Sequence, residues 1–212
     1  MQYQVRFYIG LLKSLRPVKG CRIRPSQKWV GPPVGWVKIN LDGAFDQAQK
    51  RGGLGLVVRD SEGNILGGTC SFLSNVTAPD LIEAYAGRFA CEFVSNYNLS
   101  PVIFEADCLK LVTASGSEED DDSDFGLILE DVKSLLGTMP SSFFSHVYRE
   151  ANSLAHRLAK FALLDSVHCS WYGSIPSTLS DLLISPCTYC LVLFNNIFVQ
   201  VQKKSFNCYR KP

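Results

Sequence analysis

The chain has 212 residues, a hydrophobic share of 46% and a charged share of 19%, enough to build a core without disulfide or metal staples. Its net charge of +1 hides an asymmetry: residues 1–41 hold eight Lys and Arg and no Asp or Glu, so the remainder carries about −7. No apolar run reaches the roughly 20 residues of a membrane span; the longest, from about Tyr189 to Val201, is broken by Asn195, Asn196 and Gln200. Nothing at the N-terminus resembles a secretory signal, so the eight scattered Cys are expected as free thiols in a reducing compartment.

Residues 1–33 read as a basic leader and linker that ends in the stiff Gly31-Pro-Pro33. A fraying arm, an organelle-targeting presequence and a nucleic-acid arm all fit it, and its scarcity of Ser counts against the presequence. From Trp36, the apolar Val37, Ile39 and Leu41 alternate with Lys38, Asn40 and Asp42, the period of a strand. Gly53–Arg59 and Ile65–Phe72 follow with a short turn between them, so the spacing predicts an antiparallel meander.

The period then changes. Ile82, Ala86, Phe89, Phe93 and Tyr97 predict a helix from about Pro79 to Asn98, and Val102–Ala106 a strand able to pair parallel to an earlier one. A short helix over Leu109–Ala114, an acidic loop over Ser115–Ser123, a helix over Asp124–Leu136, a strand over Ser142–Arg149 and a helix from Ala151 to about Leu164 complete the order. This is an α/β chain, a mixed sheet with helices on its faces. Residues 34–165 form the expected domain and 166–212 a tail, of which Trp171, Tyr172 and Leu179–Ile184 could dock on the body.

Three acids stand where apolar periodicity implies partial burial. Asp42 closes the first strand and Asp107 the fourth, while Glu83 sits at the margin of the long helix's apolar stripe. His156 takes the same marginal position on the last helix. Each has an ordinary reading: a turn residue before Gly43, a favourable charge at a helix N-terminus, a helix cap, a half-exposed helix residue. Together they read differently, since carboxylates avoid apolar surroundings unless a cation compensates, and a pair of divalent ions would do so. If the two strands run parallel, Asp42 and Asp107 become neighbours beyond their carboxyl ends, with Glu83 and His156 closing the site from two helices.

Five stretches in this order carry a family likeness: Trp36–Ala44, Gly52–Asp60, Glu83–Ala86, Val102–Asp107, and Ser145–Asn152 running into Ala155–Lys160. Residues 34–165 resemble the plant-type ribonuclease H-like domain, related to the RNase H of reverse transcriptases. The resemblance implies an RNase H-like fold, a five-stranded mixed sheet of order 3-2-1-4-5 with helices on both faces. It also implies a two-Mg²⁺ site, Mn²⁺ being an alternative, that hydrolyses the RNA strand of RNA–DNA hybrids. Asp42, Glu83 and Asp107 match the first three metal-binding acids, and Asn152 matches a substrate-contacting Asn. Gly43, which lets another backbone approach closely, joins Asn152 as an expected substrate-binding residue.

The chain departs from the pattern at the fourth acid, where His156 stands in place of Asp. Imidazole is a poor ligand for hard Mg²⁺, so His156 would suit Mn²⁺, shuttle a proton, or mark weakened or lost cleavage. The alternative reading is therefore a catalytically inactive module of the same fold that binds hybrids, double-stranded RNA or a protein. A related exonuclease is disfavoured because Ala44 stands where it needs a second acid, and an integrase because Glu83 precedes Asp107. The chain is expected to be a monomer, nuclear or cytoplasmic, without membrane contact, and a retroelement-derived fragment would look the same. Glu118–Asp122 lacks the spacing of a Ca²⁺ loop, and Cys187-x-x-Cys190 lacks a second pair for zinc.

Overall fold

The computed structural model describes residues 28–184. Expectations for the leader before Lys28, and for Cys187, Cys190 and the rest of the tail, lie outside the described residues. Three antiparallel strands come first, β1 (Val37–Asp46), β2 (Arg51–Arg59) and β3 (Ile65–Ser74). Helix α1 (Pro79–Tyr97) crosses over to β4 (Val102–Ala106), which pairs parallel to β1. Helices α2 (Leu109–Ser115) and α3 (Asp124–Gly137) lead to β5 (Phe143–His146), parallel to β4. Helix α4 (Ser153–Asp165), strand β6 (His168–Tyr172) and helix α5 (Ser177–Ile184) end the described chain.

The sheet order is β5-β4-β1-β2-β3-β6. Its five core strands, read from the far edge, are the 3-2-1-4-5 order that the resemblance implies. The sixth strand is an addition that the sequence did not announce. It pairs antiparallel with β3, burying Trp171 while His168, Ser170 and Tyr172 stay exposed. Strand β5 is shorter than expected because β4 ends at Ala106: the Val147 amide makes the last bond, to the Ala106 carbonyl. Residues 148–152 then turn tightly, and the Ala151 and Asn152 amides donate to the Tyr148 carbonyl.

Both faces of the sheet are covered. On one face Ile39, Leu41, Leu54, Leu56 and Val58 pack with Ile82, Ala86 and Phe93 of α1 and with Leu129 and Val132 of α3. On the other face Val57 and Cys70 meet Leu158 and Ala162 of α4, Trp171 of β6, and Leu179 and Leu183 of α5. Helix α4 lies close against β2 because two glycines carry no side chain there. A Cβ on Gly55 would stand 2.3 Å from the Ala155 carbonyl oxygen, and one on Gly53 2.1 Å from that of Ala159. Helix α4 is thereby pressed onto the face from which Asp42 projects. Upstream, Trp29 and Gly31 pack against the β2–β3 turn, Gly31 beside the Ser61 carbonyl and Trp29 beside Gly63. Among the described residues no helix is long and apolar enough to cross a membrane.

Candidate active site

The site forms where two parallel strands end together. Pairing of β1 with β4 stops at Leu41 opposite Ala106, so the next backbone groups of β1 on that side lack a strand partner. Side chains take them. The Asn152 amide donates to the Leu41 carbonyl at 2.8 Å, and the Gly43 amide donates to the Glu83 carboxylate. Gly43 works as the sequence suggests, but the backbone it admits is that of α1: a Cβ there would stand 3.0 Å from the Ile82 carbonyl carbon.

Asp42, Glu83 and Asp107 converge. Each offers a carboxylate oxygen, and these oxygens lie within 4.8 Å of one another. Asp42 is buried, and Glu83 and Asp107 are half-buried. Oxygen Oε2 of Glu83 is buried and has no hydrogen-bond partner. Burial, with the charges of Asp42 and Asp107, pushes the Glu83 carboxyl up to about 9. Burial raises Asp42 to about 6; the hydrogen bond from His156 opposes that shift and the Asp107 charge adds to it. Three acids share one small volume, one with a buried oxygen that has no hydrogen-bond partner, an arrangement that a cation would satisfy. All donors are carboxylate oxygens, so the set fits a hard divalent ion such as Mg²⁺ or Mn²⁺.

His156 joins the cluster through Asp42. Its Nδ1 lies 2.6 Å from Asp42 Oδ2. The Arg149 guanidinium lies 3.1 Å from His156 Nε2. The same guanidinium nitrogen lies 3.3 Å from Nδ1, so Arg149 rests against the ring and not on one lone pair; it is the carboxylate, which accepts, that makes Nδ1 the donor to Asp42. His156 thus holds one Asp42 oxygen and leaves the other for a cation. Arg149 was not singled out by the sequence; its place seven residues before His156, across a tight turn, was the available signal.

Asn152, expected to touch substrate, is fully buried in this structure. Its side-chain amide also approaches Asp107 Oδ1 at 3.3 Å, and its Oδ1 accepts from Asn40 at 3.2 Å. Further polar residues that the sequence reading passed over lie behind it. Lys38 pairs with Glu105 at 2.8 Å, Asn40 donates to Glu105 at 3.0 Å, and Arg59 donates to Asn40. The Arg59 guanidinium stacks 3.6 Å from the centre of the Trp29 ring. His146 is exposed at the end of β5 and rests edge-on against Tyr148.

Residues 40–162 match the family described as "Reverse transcriptase-like". An Arabidopsis thaliana protein, "Putative ribonuclease H protein At1g65750", is 30% identical over 155 residues, which cover 73% of this chain. The match spans about a quarter of that relative's length, 25%. RNase H1 of Halobacterium salinarum superposes with a TM-score of 0.57 at 20% identity, over 62% of this chain and 99% of that one. LC11-RNase H1, solved in complex with an RNA/DNA hybrid, superposes with a TM-score of 0.55 at 20% identity, over 61% and 97%. At that identity the two structures establish the fold.

Proposed function

The chain belongs to the reverse transcriptase-like family, and we propose that it is a metal-dependent endonuclease that hydrolyses the RNA strand of RNA–DNA hybrids. One observation carries the reading: three carboxylates from separate elements lie within 4.8 Å of one another, and one buried oxygen of Glu83 has no hydrogen-bond partner among the described residues. Asp42, Glu83 and Asp107 would hold two divalent ions, which supply activation of water and compensation of charge at the scissile phosphodiester. The residues of the chain orient and exclude. His156 fixes one oxygen of Asp42, the Gly43 amide fixes Glu83, and Asn152 steadies Asp107. Choice of RNA over DNA would rest on contacts to the 2′-hydroxyl and on groove shape, and affinity for the hybrid on phosphate contacts that weaken with salt.

A second reading has its own observation. Oδ2 of Asp42 is already taken by His156, and the Arg149 cation stands directly behind that ring. A site so arranged could bind a hybrid without cutting it. Cleavage of a labelled hybrid in Mg²⁺ and in Mn²⁺, by the native chain, Asp42→Asn and His156→Asp, decides between the two. A nuclease cuts in the native form, loses cutting in Asp42→Asn and gains Mg²⁺-supported cutting in His156→Asp. A binding module retains the hybrid in both native and Asp42→Asn forms and cuts in neither metal.

A further inference from the structure

Two amides stand in series between a buried ion pair and the candidate metal site. Each has an oxygen end that accepts and a nitrogen end that donates, so its orientation carries information. Asn40, fully buried in mid-β1, is held by neighbours of fixed polarity. Arg59 can only donate, and it faces Asn40 Oδ1. Glu105, charge-paired with Lys38 at 2.8 Å, accepts from Asn40 Nδ2 at 3.0 Å. A flipped Asn40 would set oxygen against carboxylate and N–H against guanidinium, so one orientation is enforced.

That orientation is passed on. Asn40 Nδ2 also points to Asn152 Oδ1 at 3.2 Å, which leaves the Nδ2 end of Asn152 for the Leu41 carbonyl at 2.8 Å and for Asp107 Oδ1 at 3.3 Å. Were Asn152 reversed, its oxygen would face a carbonyl and a carboxylate together. We propose that Arg59 and Glu105, acting through Asn40 and Asn152, are positioning residues that hold one oxygen of Asp107 and so present the other to the acid cluster. The value of this arrangement for metal binding rests on the reading of the cluster given above; the relay itself rests only on the hydrogen bonds. Arg59, Glu105 and Asn40 reach Asp107 through Asn152, so each acts through its neighbour, as outer-shell partners of metal ligands do.

The test uses the whole chain and two readouts. Side-chain amide signals of Asn152, followed by ¹⁵N NMR without metal, report the relay directly. Calorimetric titration with Mn²⁺ reports its consequence. In the native chain the Asn152 amide protons should exchange slowly. Arg59→Met, which removes the donor, and Asn40→Leu, which removes the pivot at similar volume, should release them to fast exchange and weaken Mn²⁺ binding about tenfold. Arg59→Lys keeps a donor and should preserve both. If Arg59→Met lowers the melting temperature but leaves the Asn152 signals and Mn²⁺ affinity as they were, Arg59 is only packing and the proposal falls. Should that variant not fold, Asn40→Leu decides by the same criterion. Fast exchange of the Asn152 amide in the native chain overturns the relay outright. A native chain that binds no Mn²⁺ defeats the metal-site reading instead, while the amide signals still judge the relay.

Discussion

Strands β1 and β4 bury polar side chains twice on the same face, two residues apart, and solve the problem in opposite ways. At Asn40 and Glu105 opposite charges meet: Lys38 answers Glu105, and Arg59 stacks on Trp29 and donates to Asn40, although its Nε has no hydrogen-bond partner. At Asp42 and Asp107, joined by Glu83, three acids face one another with one oxygen unpartnered. Trp29 and Val30 close over the first set and α4 reaches the second through His156, and Lys38, Asn40, Arg59, Glu105 and Asp42 are buried. Burial of charge therefore does not mark function by itself. What distinguishes the second set is that like charges are gathered together, which stable folds avoid unless a ligand completes them.

The comparison breaks most sharply under substitution of a charge at each end. Lys38→Met leaves the Glu105 carboxylate buried without its ion-pair partner, held by the Asn40 amide and the more distant Arg59 charge, and should lower stability by about 3 kcal/mol in urea denaturation. Replacing Glu105 with Leu in the same chain should recover much of that loss, since the stranded charge goes with it. At the acid end Glu83→Gln should do almost nothing to the metal-free protein at pH 7. Its carboxyl, raised to about 9, is already protonated there, and a neutral amide of the same shape replaces it. A change within about 0.5 kcal/mol is expected. A loss as large as that of Lys38→Met would mean that the acids are a structural cluster and not a ligand cage.

Asp42→Asn sharpens the contrast in function. Removing one carboxylate from an ion-binding set should cost about 2.7 kcal/mol or more of transition-state stabilisation, about 100-fold or more in hybrid cleavage. The folded structure should survive, because the change also relieves the repulsion from Asp107. Retained cleavage at the native rate in Asp42→Asn would separate any observed nuclease activity from this site.

The acid end was legible in the sequence and its compensated neighbour was not, for one physical reason. Alternation along β1 marks Lys38, Asn40 and Asp42 as a single polar face, and a polar face reads as a solvated one. Here Trp29 and Val30 cover its Lys38 end and α4 its Asp42 end, the helix being admitted by Gly53 and Gly55, whose place opposite β1 becomes meaningful only once the strands are paired. Asp42, Glu83, Asp107 and His156 could be placed by strand ends and helical angle because each lies at a boundary, where local geometry fixes direction. The roles of Asn40, Arg59 and Glu105 depend on contacts up to 112 residues apart. Strand β6 escaped for a related reason: five residues with one buried side chain give no pattern until β3 supplies an edge.

The dependence on pH has the most telling sign. In the metal-free protein Glu83 keeps its proton to about 9, against an ordinary value of 4.5, and Asp42 keeps its proton to about 6, against 3.8. Between those limits the folded chain holds protons that the unfolded chain has lost, so stability must fall as pH rises. This contribution is fully present below the unfolded values and is gone above about 9 for Glu83. A divalent ion reverses the slope. It needs the ionised acids, so it must displace the protons, and its affinity should climb about tenfold per pH unit for each proton released. Added Mg²⁺ or Mn²⁺ should therefore raise the melting temperature by a few degrees at pH 8.5 and by much less at pH 6, through ordinary ligand stabilisation of the folded state. The shift should vanish in Glu83→Gln, whereas it should persist when the exposed acids of Glu118–Asp122 are neutralised. A metal-induced shift of the same size at both pH values would mean that the ion sits on the surface, and the unequal treatment of the two buried sets would lose its functional explanation.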